Sequence, residues 1–220
     1  MPLTLAIDCS LRWVNLGLGD GEKLLGEEAM DVGRKQSEVL PIAVESFLVR
    51  HDRSLSDLGR IAVMVGPGYY TGIRVGLSYA AALAESLGIQ LIPLSTLFAM
   101  AFPLLSPNRT VIPVVKARNG AVYAAAYTNS ADSPNIAIES LSPVYLELPD
   151  FFAILKNLDL PTDNILIAGC DALIFEEIAS SGYPVDSSAR TDGRSMLLAA
   201  VKIDPVDPAR VRAIYLRNPD

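Results

Sequence analysis

Apolar and polar positions alternate along the first thirty residues in short runs. Leu3 to Asp8 (LTLAID), Trp13 to Asp20 (WVNLGLGD) and Lys23 to Met30 (KLLGEEAM) each read as a strand. The DGE at Asp20 to Glu22 marks the turn between the last two. The period then lengthens, and a helix is expected over Ser37 to Arg50. A buried strand follows at Arg60 to Val65, then a glycine-rich joint, a helix from about Arg74 to Leu87, the strand IQLIPLS and a short helix STLFAMA. The second half repeats the order. TVIPVVKAR, AVYAAAYT and IESLSPVYLE give three strands, with RNG (Arg118 to Gly120) at the first turn. A helix near Asp150 to Leu158, the strand NILIAG and a helix near Ala172 to Ser180 complete it. Repetition of strand, strand, strand, helix, strand, helix predicts an α/β fold duplicated internally. Each lobe is then a mixed sheet flanked by helices. FPLLSPN (Phe102 to Asn108) is the natural break, dividing the chain into 1–102 and 103–220, with the last segment free to pack back on the first lobe.

Two helices carry more apolar residues than one sheet can cover. In SEVLPIAVESFLVR, Leu40, Ala43, Val44, Phe47 and Leu48 share one face, while Val39, Ile42 and Val49 fall on others. Only a thin strip with Glu38 and Glu45 is polar. RVGLSYAAALAESL has the same character, with Arg74 and Glu85 as its only charges and alanines that permit close helix approach. Such helices are either sandwiched inside a layered core or present an apolar patch to another subunit. On the second reading Val39, Leu40, Ile42, Ala43, Phe47, Leu77, Ala80, Ala81 and Ala84 form the interface.

The joint GPGYYTGIRVG (Gly66 to Gly76) is the sharpest motif. Glycine-rich turns between strand and helix can cradle phosphate, and Asp8, at the end of the first strand, could hold a metal ion beside it. Asp8, Gly66, Gly68, Thr71, Gly72 and Arg74 are therefore the residues expected near any nucleotide. Three features count against that chemistry. The joint has neither GxxxxGK[ST] nor GxGxxG order. The turn after Asp8 reads CSLRWVN, where Leu11, Arg12 and Trp13 are too bulky for close phosphate approach. Asp8 serves equally well as a strand-end turn residue. Thr71 is the expected helix N-cap. Arg74 opposes the helix dipole in the first turn, so an anion is expected beside it, and Asp8 could supply one.

Composition removes several further classes. The net charge of −7 argues against unaided grip on a nucleic-acid backbone, so any nucleic-acid contact is expected to come through a partner. A single histidine, His51 in the charged stretch VRHDRS, cannot supply a two-histidine metal site and reads as a solvated residue. Cys9 and Cys170 lie far apart without CxxC spacing, which fits ordinary thiols in a reducing compartment. The N-terminus lacks a basic n-region, and no apolar run reaches the ~20 residues that span a bilayer. A cytoplasmic location without membrane attachment is expected.

LAIDCS and GPGYYTGIRVG together resemble the TsaB (YeaZ) family of tRNA threonylcarbamoyladenosine biosynthesis proteins, whose pattern is LAIDTS followed by GPGSFTGxRxG. VVKARNGAVYAAAY is similar to the family's DARxGEVYxAxY, and RAIYLR (Arg212 to Arg217) to its closing PxYLR. Lys116, Ala121, Ala213 and the pair Tyr69–Tyr70 depart from the pattern. The resemblance implies an actin-like (ribonuclease H-like) duplicated fold. It implies an accessory subunit, not catalytic by itself, that supports a TsaD-like paralogue through a bundle of the first two helices of each subunit, beside a TsaE-like ATPase. A homodimer is expected when the partner is absent. No intrinsic metal or cofactor is implied; ATP or ADP with Mg²⁺ would sit at an interface of the complex. The competing class is an actin-like ATPase or kinase using Asp8 and the glycine joint, with a metallopeptidase behind it.

Overall fold

The three N-terminal runs fold as β1 (Leu3–Asp8), β2 (Trp13–Asp20) and β3 (Lys23–Asp31), an antiparallel set in a computed structural model that describes residues 2–129, 137–158 and 160–216. After the helix α1 (Gln36–Arg50), β4 (Arg60–Gly66) pairs parallel with β1. The helix α2 (Tyr70–Leu87) then crosses over to β5 (Gln90–Ser95), parallel to β4. The sheet order is β3-β2-β1-β4-β5. The second sheet uses β6 (Thr110–Lys116), β7 (Val122–Asn129), β8 (Ala137–Leu146), β9 (Ile165–Ala168) and β10 (Val185–Asp186). Its order is β10-β9-β6-β7-β8. Read from the other edge, the two orders are the same, with the same antiparallel and parallel pairings. The chain is thus a duplicated actin-like fold, with α3 (Thr96–Ala101) after the first sheet.

The two units divide at Ala99 and Met100, and Thr191–Ile214 returns to the first unit. This returning segment holds α6 (Gly193–Ala200), an element the hydrophobic pattern did not announce. In the second unit α4 (Leu148–Asn157) and α5 (Ala172–Ala179) cover one face of the sheet, with Phe151, Leu155, Ile174 and Phe175 packed on Ile112, Val114 and Ile167.

In the first unit both faces of the sheet are covered, which is why β1 and β4 are apolar almost without interruption. On one side Leu5, Ile7, Ile61 and Val63 pack against Leu40, Val44 and Phe47 of α1 and Ala80 and Ala84 of α2. On the other, Ala6, Ala62 and Met64 meet Met196, Leu197 and Ala200 of α6. Asp192 caps α6 through a reciprocal pair with Ser195: its carboxylate accepts from the Ser195 N–H at 2.7 Å, and its own N–H donates to the Ser195 hydroxyl at 2.9 Å. Among the described residues no helix is long and apolar enough to cross a membrane.

Candidate functional site

α2 starts at Tyr70, four positions earlier than the pattern suggests, and its N-cap is Tyr69 rather than Thr71. The cause is an anchor outside the helix. The Tyr69 N–H donates to the Ser10 carbonyl at 2.6 Å, fixing the helix entry against the turn that follows β1. Thr71 lies inside the helix and is exposed.

This anchoring explains the glycines. A Cβ at Gly68 would come within 2.2 Å of the Ser10 carbonyl oxygen, and one at Gly72 within 1.9 Å of the Cys9 carbonyl oxygen. Any side chain at either position would drive the helix off the β1–β2 turn. Gly66 ends β4 at φ +104°, beside the bond from the Ile214 N–H to the Val65 carbonyl. The glycines that looked like a phosphate cradle are occupied by their own chain.

Asp8 is equally enclosed. It is fully buried. One carboxylate oxygen accepts from the Ser10 N–H at 2.6 Å; the other accepts from the Asn15 amide at 3.1 Å and from the Thr191 hydroxyl. Asn15 also donates to the Thr191 carbonyl at 3.2 Å. Asp8 therefore ties β1, β2 and the returning segment together, and it does not reach Arg74. Asn15 and Thr191 escaped the sequence reading: Thr191 lies far along the chain, and only the Asp192–Ser195 cap beside it signals an ordered element.

Arg74 is exposed, with its guanidinium 5.3 Å above the Tyr70 ring and donating to the Tyr70 hydroxyl at 3.0 Å. Among the described residues no carboxylate pairs with it. His51 is not solvated either. It caps the end of α1 half-buried, with Nδ1 2.8 Å from the Phe47 carbonyl and its ring edge-on to Phe47 and against Gly26. Cys9 is buried under α2, and burial, reinforced by the neighbouring Asp8 carboxylate, pushes its thiol well above the ordinary range. Lys116 pairs with Asp171 at 3.4 Å. Arg217, at the end of RAIYLR, lies outside the described residues. Among the described residues no group of three or more His, Cys, Asp or Glu could hold a metal ion.

The residues proposed for an interface separate into three sets. Leu40, Ala43, Phe47, Ala80 and Ala84 are buried in their own sheet–helix core and are corrected to core residues. Val39, Leu77 and Ala81 are half-buried at its margin. Ile42 alone stands clear, 68% exposed. Nearby on the same two helices, Val49 is 71% exposed, Tyr70 is 42% exposed and Pro41 is open to solvent; Tyr69, just before α2, is 48% exposed. A cleft of about 440 Å³ runs between the helices, walled by Leu40, Pro41 and Val75 with Ser37, Ser78 and Arg74 at its rim. Tyr79 also lines it; partial burial, with the Glu45 carboxylate on the facing helix, raises its hydroxyl above the ordinary value.

Fold and site together define a duplicated actin-like protein whose glycine joint is closed by its own backbone and whose first two helices leave apolar side chains exposed. The comparisons narrow the class. Residues 30–142, which include α1 and α2, match the family model described as TsaD, tRNA N6-adenosine threonylcarbamoyltransferase. The chain is 30% identical over 175 residues to the tRNA threonylcarbamoyladenosine biosynthesis protein TsaB of Bacillus subtilis, covering 79% of this chain and 73% of that protein. It is 37% identical over 70 residues to a tRNA N6-adenosine threonylcarbamoyltransferase of Sulfurisphaera tokodaii, 32% of this chain and 21% of that one. A Pseudomonas aeruginosa structure described as similar to the peptidase YeaZ superposes with a TM-score of 0.81 at 21% identity, covering 99% of this chain and all of its own. The chain belongs to the TsaB (YeaZ) family.

Proposed function

We propose that this protein acts in the formation of threonylcarbamoyladenosine on tRNA as an accessory subunit, docking through the open sides of α1 and α2 on a TsaD-type paralogue. The observation that carries the reading is the strip of exposed apolar side chains, Pro41, Ile42, Val49 and Tyr70, on two helices whose other faces are already covered. Apolar patches rimmed by polar groups on an otherwise well-covered fold mark contact sites. The paralogue's family model matches the stretch holding both helices, so the partner is expected to present a similar pair, giving a four-helix contact of near two-fold form. A stable contact of this kind buries on the order of 1,200–2,000 Å². Without the paralogue the same face closes on a second copy of this chain. A TsaE-like ATPase completes the assembly in the cytoplasm, and ATP or ADP with Mg²⁺ is held at an interface of the complex and not by this subunit alone.

The ATPase reading has less to stand on, because Asp8 is buried with both oxygens engaged and the glycines of the joint face the Cys9–Ser10 backbone. Co-expression with the TsaD-type paralogue tests the docking reading. Ile42→Asp should lose co-purification while keeping the wild-type melting temperature. Retention of the paralogue at wild-type yield would contradict the docking face.

A further inference from the structure

Resting on that docking reading, we propose that Arg74 is the charged half of a contact with the partner: the α1–α2 cleft receives a glutamate or aspartate side chain from the docked paralogue. Arg74 is exposed in the second turn of α2, beyond the first turn over which the helix dipole acts. A carboxylate beside it would be favourable, and among the described residues none is paired with it. Asp8 is enclosed by Ser10, Asn15 and Thr191. Glu38, Glu45 and Glu85, the carboxylates of the two helices, form no ion pair with it among the described residues. Other surface cations do find acids, as in Arg12–Asp31, Arg50–Glu28 and Lys202–Glu22.

The guanidinium is nevertheless held in place. Tyr70 lies beneath it and accepts one of its five N–H donors, leaving a planar fork free to meet a carboxylate in bidentate geometry. The walls of the cleft, Leu40, Pro41 and Val75, suit the methylene stem of an acidic side chain. Among the described residues lining the cleft, Arg74 alone is charged. A phosphate-bearing strand would call for several cations in a row, so a single carboxylate on a protein surface fits better.

The test is calorimetric titration of the TsaD-type paralogue, at low and high salt, with wild-type protein, Arg74→Glu, Arg74→Lys and Ile42→Asp. Both positions are exposed, and unchanged melting confirms folding. Arg74→Glu should weaken Kd about tenfold or more at low salt, with the deficit shrinking as salt rises, and Arg74→Lys should recover part of it. If Arg74→Glu binds as wild type while Ile42→Asp does not, the carboxylate contact is wrong and the docking face stands. If neither changes binding, the docking reading falls as well. Loss confined to self-association would assign the cleft to a second copy of this chain, and loss confined to binding of an anticodon stem-loop would assign it to RNA; either overturns the proposal.

Discussion

Gly72 shows what holds the glycine joint to its helix entry. Its missing Cβ would stand 1.9 Å from the Cys9 carbonyl oxygen, a backbone atom that cannot rotate away. Gly72→Ala should therefore cost about 1–3 kcal/mol or more by forcing the helix outward. Gly76→Ala, whose Cβ would meet Cys9 at an ordinary 3.4 Å, should be far milder. Urea denaturation of the two variants makes the comparison. Equal destabilisation would contradict the packing account. Cys9, beneath the same helix, is predicted to resist alkylation at pH 8 until the protein unfolds, because burial keeps it a thiol. The linkage has a definite sign. A thiol raised in the folded state stabilises fully below its ordinary value of about 8.5, and that contribution is lost as the pH rises beyond it. Mass spectrometry of native and denatured protein after iodoacetamide reads the first effect. Asp8→Ala removes the acceptor for three buried donors and should cost about 1–3 kcal/mol per donor left unpaired, lowering the melting temperature.

At the scale of elements, strand periodicity was informative because β1, β2 and β4 are bounded by turns and buried on both faces. Their predicted ends agree with the structure to within a residue. The helix entry at Tyr70 was not legible, since the Ser10 carbonyl that anchors it lies sixty positions upstream. α6 could have been found from the Asp192–Ser195 pair ahead of its short apolar stretch, but eight residues give little periodicity to detect. The helical spacing of α1 puts Leu40, Ala43 and Phe47 on its strongest stripe, yet the expected interface takes in those three along with Val39 and Ile42. Leu40, Ala43 and Phe47 face the sheet, as the strongest stripe should, while the weaker positions, Pro41, Ile42 and Val49, remain outside. For a helix suspected of serving two surfaces, the secondary stripe is the better guide to a partner. Val49→Asp, near the far end of α1, is accordingly predicted to weaken assembly less than Ile42→Asp, which adjoins the cleft. Sedimentation velocity with the paralogue ranks the two.

For the whole molecule, duplication supplies two similar sheets, and the first unit carries the open helix pair together with the glycine joint. The fold itself was readable because the order of elements repeats; the site was readable only as a region, because exposure depends on contacts between distant segments. A scaffold whose aspartate and glycines are spent on internal packing should bind no nucleotide alone, so calorimetry of the isolated subunit with ATP and Mg²⁺ is expected to give no binding heat. Micromolar binding with turnover would instead favour an actin-like ATPase. The most direct measurement is reconstituted formation of threonylcarbamoyladenosine on tRNA by the remaining components, with this subunit omitted, supplied as wild type, or supplied as Ile42→Asp. The account predicts that wild type restores the modification and that Ile42→Asp performs no better than omission. Full yield with Ile42→Asp, or full yield with nothing added, would contradict it.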